Sequence, residues 1–163
     1  MRRRTLRGFG RRQGGFSLLE VMIALLVLAF GLLGFALLQT LNVRFVQSAN
    51  YRTQATNLAY DLIDLMRAQR ATTMKGTGYV DASFAAGSIT PKGACAWPTG
   101  EAVTAKQNVA RWQCQVVKTL GDKASAQVTY TAGVVTVAIS WGDQRWDAKD
   151  PDSLTSFGMT TQL

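Results

Sequence analysis

Gly14-Gly15-Phe16-Ser17-Leu18-Leu19-Glu20 stands between an arginine-rich start and a long apolar segment. Six arginines and no acid occupy residues 1–15, and no charged residue occurs in residues 21–43. The apolar residues 21–38 rise about 27 Å as a helix and, together with residues 16–19, can cross a hydrocarbon core of about 30 Å. The positive-inside rule places the N-terminus in the cytoplasm and the remainder of the chain outside it.

The position of the apolar segment argues against an ordinary secretory signal. Such a signal has an apolar stretch of about 7–15 residues that ends at a small-x-small cleavage site. Here the stretch is longer, and residues 39–44 contain no convincing site of that kind, whereas Gly15 stands before it. Cleavage after Gly15 would remove the basic leader and keep the apolar helix on the mature protein.

This arrangement resembles the class III signal of type IV pilins and the related pseudopilins, in which a prepilin peptidase cleaves after a glycine and methylates the new N-terminal amine. The resemblance implies cleavage between Gly15 and Phe16, N-methylation of Phe16, and a role in subunit assembly for Glu20, the fifth mature residue. Residues 20–34 look most like those of PilV-type minor pilins, although minor pseudopilins of type II secretion open in a similar way.

Glu20 has two interpretations. A carboxylate at the edge of the hydrocarbon costs a few kcal/mol, and such residues usually have a partner. In pilins the corresponding glutamate pairs with the terminal amine of a neighbouring subunit, so the resemblance implies that pairing here. The alternative is that Glu20 lies in the headgroup layer of the bilayer without a protein partner.

The net charge of the chain reflects its leader. The whole chain has a formal net charge of +8, but the six leader arginines leave 12 basic against 10 acidic side chains in the mature protein, a net charge of +2. These charges are interleaved, whereas a phosphate-binding surface concentrates its Lys and Arg on one face. Nucleic acid is therefore not an expected partner.

The apolar helix is predicted to continue beyond the membrane. No proline occurs in residues 16–70, so a single helix or two nearly collinear helices are expected. Apolar residues from position 41 onward recur mainly at three- and four-residue steps, which predicts one buried helical face. Its members are Phe45, Ala49, Ala55, Leu58, Ala59, Leu62, Leu65 and Met66.

The remaining residues predict a small antiparallel sheet. Residues 71–100 are rich in Gly, Thr, Ala and Ser and are expected to form mainly loops, with room for one short strand or helix. Strands are predicted at 111–117, 127–131 and 135–141, with a hairpin turn at Ala132-Gly133 and a last strand through Phe157, Met159, Thr161 and Leu163. The predicted fold class is α+β and pilin-like, with a long N-terminal helix packed on the sheet.

Four segments are therefore expected. These are a cleaved leader at 1–15, a transmembrane helix at 16–40, an amphipathic helix at 41–70 and a periplasmic globular domain at 71–163.

Cys95 and Cys114 are the only cysteines. Outside the cytoplasm an intramolecular disulfide is favoured, and it would tie the irregular region to the first predicted strand. Free thiols or a metal site are the alternatives, but zinc prefers four ligands and the chain has no histidine. No metal and no cofactor is expected.

Catalysis is not favoured, because the absence of histidine excludes Ser-His and Cys-His chemistry and no glycine-rich phosphate loop follows a strand. The acids Asp143, Asp147, Asp150 and Asp152 do not have the spacing of an EF-hand calcium loop, so a solvated loop is the simpler interpretation. The tryptophans are candidates for core packing or for an exposed contact with another subunit: Trp97, Trp112, Trp141 and Trp146.

The favoured hypothesis is a non-catalytic minor type IV pilin, anchored in the bacterial inner membrane and incorporated into the pilus, that helps prime or cap assembly. The resemblance implies as partners the prepilin peptidase, other minor and major pilins, the inner-membrane assembly platform and membrane lipid. A minor pseudopilin of a type II secretion system is the main alternative. A membrane-anchored binding module for DNA or a surface receptor is the second.

Overall fold

The structure is a computed structural model that describes residues 14–76, 78–91, 95–100, 102–143 and 153–163. Its helices are α1 (Leu18–Ala68), α2 (Arg70–Met74) and α3 (Ala105–Leu120), with a 3-10 turn at Val80–Ala82. Its strands are β1 (Ser125–Thr131), β2 (Val134–Gly142) and β3 (Leu154–Gln162). The predicted α+β, pilin-like architecture of a long N-terminal helix and a small antiparallel sheet is confirmed.

The chain divides into two compact units, one that ends at Arg44 and one that comprises Phe45–Leu163, called the head unit below. Helix α1 begins in the first unit and continues into the second as one helix of 51 residues. Of the two expectations, a single long helix or two nearly collinear helices, the structure has the first. The helix ends where the backbone of Gln69 leaves the helical region, at φ −113° and ψ 44°.

Within the head unit, α1 buries one face. The predicted members Ala55, Leu58, Ala59, Leu62 and Met66 are buried, and Leu65 packs against the core while partly exposed. Two predicted members were wrong, because Phe45 and Ala49 are exposed. The first core contact of α1 comes from Tyr51, so the predicted buried face began about two turns too early.

The sheet has the order β1-β2-β3 and is antiparallel throughout. The predicted hairpin between β1 and β2 is confirmed, with Thr131 opposite Val134 and the turn at Ala132-Gly133. Both turn residues have positive φ, 49° at Ala132 and 83° at Gly133, as a type I′ turn requires. This turn has the twist that suits a two-residue hairpin.

Replacing Ala132 by asparagine is expected to stabilise the head unit. A left-handed conformation costs an ordinary L-residue about 1 kcal/mol, and asparagine tolerates it because its side chain bonds locally. Ala132→Asn should therefore raise the unfolding midpoint of the purified chain, measured by circular dichroism. Ala132→Val, whose branched side chain suits this conformation poorly, should lower it. A lower midpoint for Ala132→Asn would contradict the turn assignment.

The core lies between the sheet and the two long helices. Alternate residues of β2 face inward and are fully buried, as predicted: Val135, Val137, Ile139 and Trp141. Trp112 of α3 is also fully buried, and its indole N–H donates to the Leu58 carbonyl of α1 at 2.8 Å. The ring of Phe84 meets Trp112 edge to face, with centroids 6.3 Å apart. Trp112 therefore links α3 to α1 at the centre of the core.

The strand predicted at 111–117 was wrong, because these residues lie inside α3. The helix starts with a capping box, in which the Thr104 hydroxyl accepts from the Gln107 backbone N–H and the Gln107 side chain accepts from the Thr104 N–H. It ends before Gly121, where φ is 95°. Buried residues recur at helical steps through Val109, Trp112, Val116 and Leu120. The capping residues and the helical spacing of the buried residues thus outweigh the strand propensity of Trp and Val in this segment.

The irregular region contains more regular structure than predicted. Helix α2 and the 3-10 turn precede Phe84, which forms an isolated antiparallel bridge with Ala126 of β1. Tyr79 is fully buried, and its hydroxyl donates to Gln69 while accepting from Asn108. Burial raises the pKa of the Tyr79 phenol, and the hydrogen bond with Asn108 lowers it by a smaller amount.

Candidate processing and assembly site

The segment before α1 has no regular secondary structure and is accessible. Residues 14–17 are exposed and precede the first helical residue, and Phe16 is 85% exposed. The Ser17 carbonyl accepts the Val21 N–H at 3.2 Å, which begins the hydrogen-bond ladder of α1. The Gly15–Phe16 bond therefore lies one residue before the start of this ladder, outside regular structure. The rest of the predicted leader, residues 1–13, lies outside the described residues.

The fold itself does not require glycine at position 15. A Cβ atom built there would meet no atom within 4 Å, and the same holds at Gly14. Internal packing therefore gives no reason for the glycine pair. A requirement imposed by another molecule that binds this segment, such as a peptidase, is compatible with this geometry.

Glu20 lies in the first turn of α1 and is exposed. It shares a shallow groove with Phe16 and with the apolar side chains of Val21, Ala24, Leu25 and Leu28. Within the described part of the chain Glu20 forms no ion pair. The positive end of the helix dipole favours a carboxylate at this position. The carboxylate is thus free to contact a cation from another molecule.

The N-terminal part of α1 exposes a large apolar surface, which is unfavourable in water. From Leu18 to Val46 the large apolar side chains of α1 are exposed, for example Phe30 at 67% and Leu33 at 67%. Helix α1 is long and apolar enough to cross a membrane, and its most apolar window is not buried within the protein. Contiguous exposed apolar surface of this extent marks a membrane or protein contact.

The predicted disulfide joins Cys95 and Cys114, with Cα atoms 5.7 Å apart. The prediction that Cys114 lies on a strand was wrong, because Cys114 is part of α3. The bond closes a loop of about twenty residues and stabilises on the order of 3 kcal/mol in the chain-entropy model. It therefore links Cys95 of the irregular region directly to α3.

A buried arginine lies beside this disulfide and was not found from the sequence. The Arg111 guanidinium donates to Asp61 of α1 and to Gln115, each at 2.8 Å, and its side chain is 3% exposed. The ring of Trp97 lies over it, with 3.5 Å from the guanidinium carbon to the ring centroid. Asp61 and Arg111 are fifty residues apart in sequence, so no local pattern could have paired them.

The tryptophans and aspartates that the sequence singled out lie in different environments. Trp112 and Trp141 are core residues, Trp97 is 65% exposed, and Trp146 lies outside the described residues. Asp143 is buried and accepts a hydrogen bond from the Ser48 hydroxyl of α1 at 2.5 Å. Asp147, Asp150 and Asp152 also lie outside the described residues. Among the residues that the structure describes, no group of three or more side chains is arranged to bind a metal ion.

Residues 10–36 match the prokaryotic N-terminal methylation motif, which contains the Gly15–Phe16 bond and Glu20. No curated protein and no solved structure matches the chain. The chain thus carries a class III signal on a pilin-like architecture. This combination supports a pilin or a pseudopilin, a typically structural class of protein whose signal implies a prepilin peptidase and assembly with other pilins. The signal and the long apolar helix fit a membrane-anchored pilin.

Proposed function

We propose that this protein is a minor type IV pilin whose mature chain begins with N-methylated Phe16. The methylation motif over residues 10–36 is the observation on which the proposal chiefly rests. The accessible Gly15–Phe16 segment and the exposed apolar helix support it, because cleavage there leaves that helix as the N-terminal element of the mature protein. Before assembly the chain is held in the inner membrane with its head unit in the periplasm.

Glu20 directs assembly in this proposal. Its carboxylate pairs with the Phe16 amine of a neighbouring subunit as the apolar helices pack together in the filament. In an apolar environment either charge left without its partner would be desolvated and costly. The pair therefore favours the alignment of neighbouring subunits that brings the two charges together. The exposure of Glu20 in the first helical turn and the absence of an ion pair to it within the described residues support this role.

The head unit gives the subunit its particular role in priming or capping the filament. The similarity of residues 20–34 to PilV-type subunits supports a minor rather than a major pilin. The partners are the prepilin peptidase, other minor and major pilins, and the inner-membrane assembly platform. Lipid surrounds the apolar helix until the subunit enters the filament.

Deleting the gene in its own bacterium tests this function against its alternatives. A minor pilin should lose surface filaments, counted by electron microscopy, while secretion of extracellular enzymes continues. Loss of secretion with intact filaments would instead identify a pseudopilin. If both processes continued unchanged, a membrane-anchored binding module would be the better description.

A further inference from the structure

The two outer edges of the sheet differ in how they are covered. The edge of β1 is paired, since Phe84 and Ala126 exchange backbone hydrogen bonds at 2.9 and 3.0 Å. Next to this bridge, the Ser83 hydroxyl accepts from the Val128 N–H at 2.9 Å and donates to the Val128 carbonyl at 3.2 Å. Residues 83–84 therefore form hydrogen bonds with part of the edge of β1, which would otherwise be unpaired.

The edge of β3 has no such cover, because no segment among the described residues pairs with its outer side. The Leu163 N–H donates to the Gly133 carbonyl at 2.9 Å, which fixes the phase of the ladder with β2. In an antiparallel ladder the backbone groups alternate between the two sides of a strand. Five residues of β3 thus direct their N–H and C=O groups away from β2: Leu154, Ser156, Gly158, Thr160 and Gln162.

The sequence of β3 lacks the features that normally protect an edge. Natural edge strands are blocked by charged side chains, prolines or bulges. Residues 154–162 contain no charged residue and no proline, and their pairing with β2 continues without interruption for nine residues. The strand is therefore long and regular, and no segment in the described part of the chain blocks further pairing.

The core is also incompletely closed at this edge. The inward side chains of β2 are fully buried, whereas Phe157 and Met159 on the inner face of β3 are only partly buried. A further strand beside β3 would cover these two side chains as well as pair the outward backbone groups. Two independent features of the same edge thus favour the same addition.

We propose that the outer edge of β3 is a binding site for an extended strand of a different protein chain. Main-chain hydrogen bonds to the five outward residues provide the affinity, and side chains at alternate positions provide the specificity. β3 offers no charged side chain for an ion pair, so recognition depends on backbone pairing and apolar contact. The partner strand presents apolar side chains on the face that covers Phe157 and Met159.

A second copy of this chain fits the site less well. Ser48 bonds to Asp143 near one end of β3 and Arg67 bonds to Thr161 near the other, so the α1 segment of the head unit runs in the same direction as β3. If two β3 strands paired antiparallel, the two α1 segments would also run in opposite directions, and Phe45 of the two copies would lie at opposite ends of the pair. Two chains anchored in one membrane, however, must both enter their head units from the membrane side. This choice of partner rests on the proposed membrane anchoring, whereas the open edge does not.

Photo-cross-linking in the native bacterium tests the proposal on the full chain. The photoreactive amino acid p-benzoylphenylalanine is placed at Gly158 on the open edge or, as a control, at the exposed Ala86. We expect position 158, and not position 86, to cross-link to one defined extended segment of a different protein, identified by mass spectrometry. Cross-links only to a second copy of this chain, or equal products at both positions, would overturn the proposal.

A backbone variant shows whether the cross-link depends on strand pairing. Ser156→Pro removes an outward N–H and leaves the pairing with β2 intact, while Ser156→Ala keeps the N–H and serves as the matched control. We expect the product at position 158 to fall about tenfold or more in Ser156→Pro and to stay unchanged in Ser156→Ala. Equal products in the two variants would overturn strand addition.

Hydrogen exchange provides a measurement that needs no substitution. In the isolated full chain, the amides of Ser156, Gly158 and Thr160 should exchange quickly while those of Phe157 and Met159 are protected. In the cross-linked complex both sets should be protected, and continued fast exchange of the outward set would overturn the proposal. A partner strand from a protein that is neither a pilin, the prepilin peptidase nor part of the assembly platform would keep this site and contradict the minor-pilin function instead.

Discussion

Trp112→Ala is expected to lower the free energy of unfolding of the head unit by about 3–5 kcal/mol. The side chain is fully buried, packs against Phe84, and donates its indole N–H to the Leu58 carbonyl. Truncation leaves a large cavity between α1 and α3 and removes the hydrogen bond to the Leu58 carbonyl. The total free energy of unfolding of a natural protein is only about 5–15 kcal/mol. The loss should therefore be visible in chemical denaturation of the purified chain.

Trp97→Ala is the matched control for this change, because it is the same truncation at an exposed site. Trp97 is 65% exposed and loses chiefly its stacking on Arg111. We expect a loss of about 1 kcal/mol there. Equal losses in the two variants would contradict the assignment of Trp112 to the centre of the core.

Glu20→Gln is expected to reduce assembly strongly while leaving processing intact. Glutamine keeps the size and shape of the side chain but removes the charge that would pair with a terminal amine. Because an uncompensated partner in an apolar environment is costly, incorporation into filaments should fall by at least about tenfold. The measurement is the fraction of the chain recovered in sheared filaments relative to membranes, with intact mass used to show that Phe16 is still the methylated N-terminus.

Asp64→Asn provides the control on the same helix. Asp64 is exposed and pairs with Arg67 at 3.2 Å on the surface, an interaction worth about 0–1 kcal/mol. The same change from carboxylate to amide should therefore leave incorporation close to that of the unmodified chain. If Glu20→Gln assembled as well as Asp64→Asn, Glu20 would be better placed in the lipid headgroup layer without a protein partner.

The features that the sequence predicted correctly are those set by neighbouring residues. The apolar run and the absence of proline predict α1, and two short alternating segments around Ala132-Gly133 predict the hairpin. The methylation motif over residues 10–36 is likewise a local pattern at the start of a helix, and it could be found before any fold was known because it lies in consecutive residues. Cleavage after Gly15, methylation of Phe16 and the assembly role of Glu20 stay predictions.

The features that the sequence missed depend on contacts between distant segments or on competing local signals. Residues 111–117 resembled a strand, but Thr104, Gln107 and Gly121 define the ends of a helix through them. The pairing of Arg111 with Asp61 requires α1 and α3 to be adjacent. The open edge of β3 depends on which strand lies outermost, and hydrophobic alternation alone does not determine that order.

Prepilin processing is tested by intact mass with N-terminal sequencing of the protein purified from membranes of its own bacterium. We expect a chain that begins with methylated Phe16, lacks residues 1–15 and retains the whole of α1. A chain that retains residues 1–15, or that has been cleaved after the apolar segment, would contradict processing at Gly15 and the assembly role of the helix.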